Sequence, residues 1–296
     1  MNSKKPGREE PVLFSGKEPP SIESTLTKED YIKTVKKALG YIASGDIYQI
    51  NLSQRLKIGC AQDPFAVFFP LFKKDPAPFG SFMDFGRFQI ISNSPERLLR
   101  VESGVAEVEP IKGTRPRGKT PEEDKVNLEQ LRQSPKERAE HLMIVDLERN
   151  DLGRVSVPGT VEVVIFEKIE TYPSLHHMVS KVRGRLRPGI DAPAALKACF
   201  PGGSVTGAPK IRAIEIIDEL EPVRRGIYTG GLGWMDFGGD MDIAMAIRTA
   251  VCKDSYLYLN VGGGIVADSD PEEEYAETLI KAEDFLKVLN VIPHGI

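Results

Sequence analysis

A lysine held between a strand-like segment and a glycine turn loses hydration, and with other cations nearby its ammonium form is disfavoured at neutral pH, which leaves a nucleophilic amine. Lys112 has this setting. It follows the alternating stretch Val105 to Glu109, lies in the run Pro110-Ile111-Lys112-Gly113-Thr114, and is trailed by Arg115 and Arg117. Taken alone it is a weak signal, because most lysines in turns are solvated and inert. Carboxylates form the second group. Ser134-Pro135-Lys136-Glu137 has the make-up of a helix start with a capping box, and Glu140 lies one turn beyond Glu137 on the same face. Asp270-Pro271 starts another helix, with Glu274 and Glu277 again three apart. Two acidic pairs on two helices can converge on one magnesium ion, which takes hard oxygen ligands. The plainer reading is that Glu137 caps, Glu277 pairs with Lys281 at i, i+4, and acidic first turns suit the helix dipole.

The third group is the small-residue loop Phe200 to Lys210, which feeds a helix through Pro209. Its backbone amides, with the Ser204 and Thr206 hydroxyls, suit a carboxylate or phosphate, and a plain tight turn accounts for it equally well. It is not a nucleotide-binding P-loop, since Gly207-Ala208-Pro209 stands where Gly-Lys-Ser/Thr is required. In a strand spanning Asp242 to Cys252, alternation sets Arg248 among Ala244, Ala246 and Ala250, with room to meet a ligand carboxylate or to cover a structural one. Gly262-Gly263-Gly264 permits close backbone approach, or only ends a strand. Asp268-Ser269-Asp270 lacks the glycine and spacing of a calcium loop, and no Gly-x-Gly-x-x-Gly follows a first strand.

The elements that must position these groups are legible in outline. Thr27 and Asp30 start a helix carrying Tyr31, Val35, Ala38 and Ile42 at helical spacing, and Gly45 ends it. Strands are predicted at 48–56, 79–85, 87–91, 98–101 and 105–109, with Asp84-Phe85-Gly86-Arg87 as a hairpin. A charged stretch, 118–133, crosses to a helix. Strands follow at 160–167 and 177–186, helices at 192–199 and 209–220, strands at 228–235, 242–252 and 256–261, and a last helix at 271–289. Antiparallel-looking runs of strands between separated helices predict an α+β fold.

Composition narrows the function class. The chain has 296 residues, 41% hydrophobic and 28% charged, enough for a sizeable core. A formal net charge of -4 predicts neither a nucleic acid nor an acidic membrane as partner, so small molecules are the expected ligands. Cys60, Cys199 and Cys252 are scattered in apolar settings without paired spacing, which supports neither disulfides nor zinc and fits a reducing cytoplasm. Residues 1–24 read as a loose polar leader without a signal peptide's apolar core, and no stretch is apolar enough to span a bilayer.

Together these segments resemble the chorismate-utilising enzymes from about Thr27 to Leu289. The stretches that carry the likeness are Ser94-Pro95-Glu96-Arg97, Pro110 to Thr114, Glu140 to Leu147 with Arg149-Asn150-Asp151-Leu152, Phe200 to Lys210, Ile247-Arg248-Thr249, and Gly264 to Ser269. Lysine in the Pro-Ile-Lys-Gly-Thr run is similar to component I of the aminodeoxychorismate synthases, where anthranilate synthases carry alanine; Tyr48 to Arg55 leans the same way. The resemblance implies two mainly antiparallel sheets packed together with helices outside, in one catalytic domain over residues 25–291. It implies that Lys112 attacks C2 of chorismate while Glu96 protonates the departing C4 hydroxyl, after which ammonia enters at C4 and the lysine is expelled, giving 4-amino-4-deoxychorismate for 4-aminobenzoate and folate synthesis. Without the family, Glu96 reads equally as a partner for Arg97.

By the same matching, Glu140 and Glu277 would bind Mg2+ directly, and Glu137 and Glu274 through water, holding the ring carboxylate. Arg248, Tyr228, Ser204, His177, Lys281, Gly263 and Gly264 fall where the family contacts chorismate. His177 read alone is a core histidine on a strand. Two departures follow. The N-terminal region found in many members is largely missing from this chain, which counts against feedback by an amino acid. There is also no Gly-x-Cys-x-Gly glutaminase loop, so ammonia comes from solution or from a separate glutaminase subunit. Anthranilate synthase component I is the nearest alternative, and a chorismate-binding subunit without turnover is the alternative of another class.

Overall fold

The computed structural model describes residues 20–292. The chain opens with β1 (Ile22–Ser24), α1 (Lys28–Ala43), β2 (Gln49–Gly59) and α2 (Pro64–Lys74). Five strands follow, β3 (Phe79–Asp84), β4 (Gln89–Ser94), β5 (Arg97–Glu102), β6 (Val105–Glu109) and β7 (Ile111–Pro116), and then α3 (Pro121–Gln133) and α4 (Pro135–Gly153). Next come β8 (Glu162–Thr171), β9 (Leu175–Arg185), α5 (Ala192–Cys199), the two-residue β10 (Gly207–Ala208) and α6 (Lys210–Leu220). The last elements are β11 (Gly231–Met235), β12 (Met241–Met245), β13 (Thr249–Lys253), β14 (Tyr256–Ile265) and α7 (Pro271–Val288).

Two seven-stranded antiparallel sheets result, as an α+β reading requires. One runs β1-β2-β14-β13-β4-β3, with β10 added on β2; the other runs β11-β12-β5-β6-β9-β7, with β8 added on β9. The first buries Leu56, Ile58, Leu257 and Leu259 with Leu71 of α2 and Phe285 of α7, and further along the same face of β2 it buries Ile50 and Leu52 with Tyr31 and Val35 of α1 and Ile216 of α6. The second packs Leu99, Val101 and Val182 against Val145 and Leu152 of α4 and Ala195 of α5. Each such fully buried aliphatic side chain contributes about 1.5–3 kcal/mol relative to its exposed state. Among the described residues no helix is long and apolar enough to cross a membrane.

Helix starts follow their capping chemistry. Thr27 accepts from the Asp30 amide and Ser134 from the Glu137 amide, while Asp270 accepts from those of Glu272 and Glu273. The predicted hairpin joins β3 to β4 in register from Phe79↔Ser94 to Asp84↔Gln89.

Several expectations are corrected. Ile22–Ser24, inside the stretch read as leader, pairs with Leu56 to Ile58 of β2; residues 1–19 of that leader lie outside the described residues. Helix α2 has no counterpart in the sequence reading, because Pro70 inside its aromatic run argues against a helix, yet Asp63 caps it and Pro64 suits its first turn. The charged stretch before α4 is itself helical: Thr120 caps α3, and Leu131 is its one buried residue, so its periodicity is faint. Pro209 is the residue before α6, not within it. The expected strand 242–252 is two strands in different sheets, β12 and β13, with Arg248 at φ 47 between them, so the alternation that placed it among alanines is broken there.

Candidate active site

Two of the chain's passages from one sheet to the other run directly from strand to strand, and these two crossings lie side by side. Pro95 and Glu96 join β4 to β5, and Ala246 to Arg248 join β12 to β13, while β4 pairs with β13 and β5 with β12. Main-chain bonds lock the corners together: Met245 N donates to Glu96 O at 2.9 Å, Asn93 N donates to Arg248 O at 3.0 Å, and Ser94 Oγ donates to Met245 O at 2.6 Å. Glu96 and Arg248, two predicted site residues, are thus fixed by backbone.

Lys112 stands in a strand, β7, rather than between a strand and a glycine turn. The β7–β9 register shifts between Ile111 and Thr114, which puts Lys112 and Gly113 in a bulge, with Gly113 at φ 80. A bulge re-aims a side chain that regular pleating would send elsewhere. The half-buried Lys112 reaches across to β14: a Cβ built on Gly264 would lie 3.0 Å from Lys112 Nζ and 2.9 Å from Gln49 Nε2. Burial, and next the Lys281 charge, push the Lys112 ammonium below the ordinary lysine range, against the pull of Glu140, Glu96 and Glu277. The neighbouring cation is therefore Lys281; Arg115 is engaged with Glu137 and Arg117 with Asp124.

Glu96 is 5% exposed and does not pair with Arg97, whose guanidinium binds Asp242 and Glu109. Instead its Oε1 accepts from Ser204 Oγ at 2.6 Å. Burial pushes its carboxyl up to about 7, although Ser204, the Lys112 charge and the Ile111 amide each favour the carboxylate. A buried acid beside an amine of lowered pKa is an arrangement able to pass a proton next to a nucleophile. The loop that carries Ser204 is no open anion cradle. Thr206 Oγ1 donates to Gly202 O at 2.9 Å, and the Gly203 amide is taken by Glu148, so the loop's hydroxyls and that amide serve the protein itself.

The four helix glutamates share one region with Lys112. A Cβ on Gly263 would come 2.9 Å from Glu274 Oε2 and 3.5 Å from Glu277 Oε1, so its lack of a side chain lets both carboxylates approach β14. Glu140 is raised by burial and by Glu137 and Glu277, and Glu274 is raised by burial and by Glu277. Three of the four have protein partners. Glu137 Oε1 accepts from Arg115 Nη1 at 2.9 Å, Glu277 pairs with Lys281 at 2.6 Å, and Glu274 Oε1 accepts from Ser269 Oγ at 2.6 Å. In that arrangement no three Glu, Asp, His or Cys side chains among the described residues stand close enough to hold one metal ion. The other oxygen of Glu274 is buried without a partner, and the donor set, carboxylate oxygen in mutual repulsion, suits a hard divalent cation.

The remaining predicted residues ring the same space. Lys281 Nζ also donates to Gly262 O at 2.8 Å. Tyr228 lies in the turn before β11 rather than in the strand, with its hydroxyl 2.9 Å from where a Cβ on Gly262 would be and the Arg225 guanidinium 5.7 Å from its ring centre. His177 is a buried strand histidine that also touches β7. Its Nδ1 is 2.9 Å from Thr114 Oγ1, and burial and then the Arg248 charge lower it to about 4, so it is neutral at pH 7. Arg248 makes no side-chain hydrogen bond or ion pair among the described residues, which leaves its fork available.

Two side chains at this site were missed in the sequence. Gln49 is fully buried, and neither end of its amide has a partner, although Lys112 Nζ is close by over Gly264. Such an amide is costly unless something else binds it. Glu148, 4% exposed, lies behind the Ser204 loop. The polar residues in the apolar strand 48–56 were the available signal for the first, and a glutamate amid the buried face of α4 for the second.

Residues 4–287 match the family described as chorismate binding enzyme. The chain is 50% identical over 268 residues to the anthranilate synthase component 1 of Aquifex aeolicus (strain VF5), covering 90% of this chain and 54% of that protein. It is 45% identical over 267 residues to the aminodeoxychorismate synthase component 1 of Salmonella typhimurium, covering 90% and 59%. The crystal structure of anthranilate synthase component I from Streptococcus pneumoniae TIGR4 superposes with a TM-score of 0.84 at 40% identity, over 90% of this chain and 60% of that one. The chain spans about half the length of the curated relatives it matches.

Proposed function

The chain belongs to the chorismate-binding enzymes, and from that premise we propose that it aminates chorismate at C4, as component I of an aminodeoxychorismate synthase. The observation that carries the reading is Lys112: an amine in a bulge, biased toward its neutral form, facing the glycine run of β14 beside a buried acid. The Lys112 amine attacks ring C2 as the C4–O bond breaks, and Glu96 gives its proton to the departing hydroxyl, which leaves as water. Ammonia then bonds to C4 and the C2–N bond to lysine breaks, returning the amine and yielding 4-amino-4-deoxychorismate. Dividing the displacement into two steps is the gain of covalent catalysis. Ser204 orients the Glu96 carboxyl, Arg248 offers a two-pronged contact to a substrate carboxylate, and the unpartnered Gln49 amide offers a seat for the incoming ammonia.

Glu140 and Glu277, with Glu137 and Glu274 behind them, are the residues we assign to Mg2+, which when bound would offset the charge of the ring carboxylate. The name component 1 borne by the relatives supports a second subunit, to which we assign release of ammonia from glutamine.

One observation favours a second reading, amination at C2 to give anthranilate: the anthranilate synthases reach 50% identity, against 45% for the aminodeoxychorismate synthase of Salmonella typhimurium. Purified protein incubated with chorismate, magnesium and an ammonium salt separates the two. The expected product is converted to 4-aminobenzoate by an added lyase; anthranilate, identified by mass and fluorescence, would overturn the assignment.

A further inference from the structure

The loop between α5 and β10 carries Ser204, and two side chains from helices behind it grip its backbone. Lys210 of α6 donates to Cys199 O at 3.3 Å and to Pro201 O at 2.7 Å, and is itself ion-paired with Asp151 of α4. Glu148, one turn before Asp151, accepts the Gly203 amide on Oε1 at 2.8 Å. The fit is close: a Cβ on Gly203 would lie 3.0 Å from that oxygen and 2.7 Å from Leu147 Cδ2. The next residue along the loop is Ser204, whose hydroxyl lies 2.6 Å from Glu96 Oε1. Glu148 Oε2 is buried and without a partner.

We propose that Glu148 is a positioning residue for the general acid, holding the Gly203 amide so that Ser204 stays on Glu96 and sharing with Glu96 a single buried pocket of negative charge. This rests on the reading of Glu96 as the proton donor. A carboxylate costs several kcal/mol to bury, so a structural acceptor for one amide is more cheaply made from glutamine or serine; a carboxylate is retained where its charge matters. Glu148 feels Lys210 from α6, Asp151 from its own helix and Glu96 from the crossing before β5, with Cys199 of α5 nearby, and burial pushes it up to about 7. Glu96 in turn faces Ser204, Lys112 and the Ile111 amide. Two acids in one dry region cannot both ionise freely: the Glu96 charge raises Glu148, and the coupling is reciprocal, so charge on Glu148 favours the proton on Glu96.

The test compares Glu148→Ala with Glu148→Gln in the full chain, using turnover of chorismate with ammonium and magnesium across pH. Glu148→Ala strands the Gly203 amide and is expected to lower kcat about tenfold at every pH, the cost of one buried unpaired donor. Glu148→Gln keeps an oxygen for that amide and is expected to restore most of kcat, while the limb on which activity falls at high pH moves down by about half a unit to one unit. An unmoved limb in Glu148→Gln, or equal losses in the two variants, would overturn the proposal. The ligand-free protein supplies a readout that does not depend on turnover. The infrared carbonyl band of a buried carboxylic acid that Glu96→Gln removes should titrate away at lower pH in Glu148→Gln than in wild type. If wild type makes no product yet this band moves, the functional reading fails and the coupling stands; if the band does not move, the coupling fails.

Discussion

Two clusters of carboxylates lie within reach of the same lysine and are built in opposite ways. By the crossing before β5, Glu96 and Glu148 are each almost wholly buried, with Ser204 and the Ile111 amide on the first and the Gly203 amide on the second, and burial carries both acids up to about 7. At the helix face, Glu137 and Glu277 hold cations directly, Glu140 and Glu274 repel their neighbours, and Lys136 adds positive charge from the first turn of α4. The first arrangement favours the proton on both acids; in the second, Lys281 holds Glu277 below its ordinary value while burial and neighbouring carboxylates raise Glu140 and Glu274. The balance of burial against nearby cations thus sets how readily each carboxyl holds a proton.

The largest expected effect lies between the clusters. Lys112→Ala should abolish aminodeoxychorismate formation while leaving some ammonia addition at C2, read by mass and by lyase conversion; full C4 amination in the variant would end the covalent role. Lys112→Arg should be equally inactive, since guanidinium does not deprotonate. Next, Glu96→Gln should lower kcat about 10²–10⁴-fold, the usual range for a lost general acid. A loss as small as that of a rim glutamate would dissolve the contrast. At the helix face, Glu274→Gln should weaken magnesium binding about 10–100-fold with the fold intact, measured by titrating the metal calorimetrically. If magnesium binds the variant as it binds wild type, the ligand assignment is wrong.

The smallest effect is on stability, and its sign follows from linkage. The folded-state pKa of Glu96 is raised from 4.5 to about 7, so between those values the native state holds a proton that the unfolded state has lost. Stability therefore falls as pH rises through that window and stays lower above it. Glu96→Gln removes the penalty, and at pH 8 the variant should be more stable than wild type by on the order of 2 kcal/mol in urea unfolding, with no gain at pH 4. A rim variant such as Glu277→Gln, whose parent acid lies below its ordinary value, should show no such gain.

Most of the elements were legible because their signals are local. Thr27, Ser134 and Asp270 cap as their types dictate, and the Asp84 to Arg87 hairpin closes as its glycine requires. Family likeness supplied a list of candidate residues, but not the geometry that brings them together. Arg248 looked like one tooth of a regular strand because alternation carries no mark of a chain changing sheets. The arginines after Lys112 looked like its electrostatic neighbours, whereas Lys281, far away in sequence, holds that place because β14 and α7 bring it there. Gln49 and Glu148 escaped notice because what marks them, burial without a partner, exists only once the chain is folded.

The paired sheet crossings limit how this chain can vary in length. A residue added or removed at Pro95–Glu96 or at Ala246–Arg248 would reverse the facing of every side chain in the strand beyond it, and would do so next to a second crossing that could not follow. The exposed hairpin tips at Phe85–Gly86 and Phe237–Gly239 carry no such penalty. Insertions made to probe or tag the protein belong at those tips, where the spacing between the acid and the arginine is left untouched.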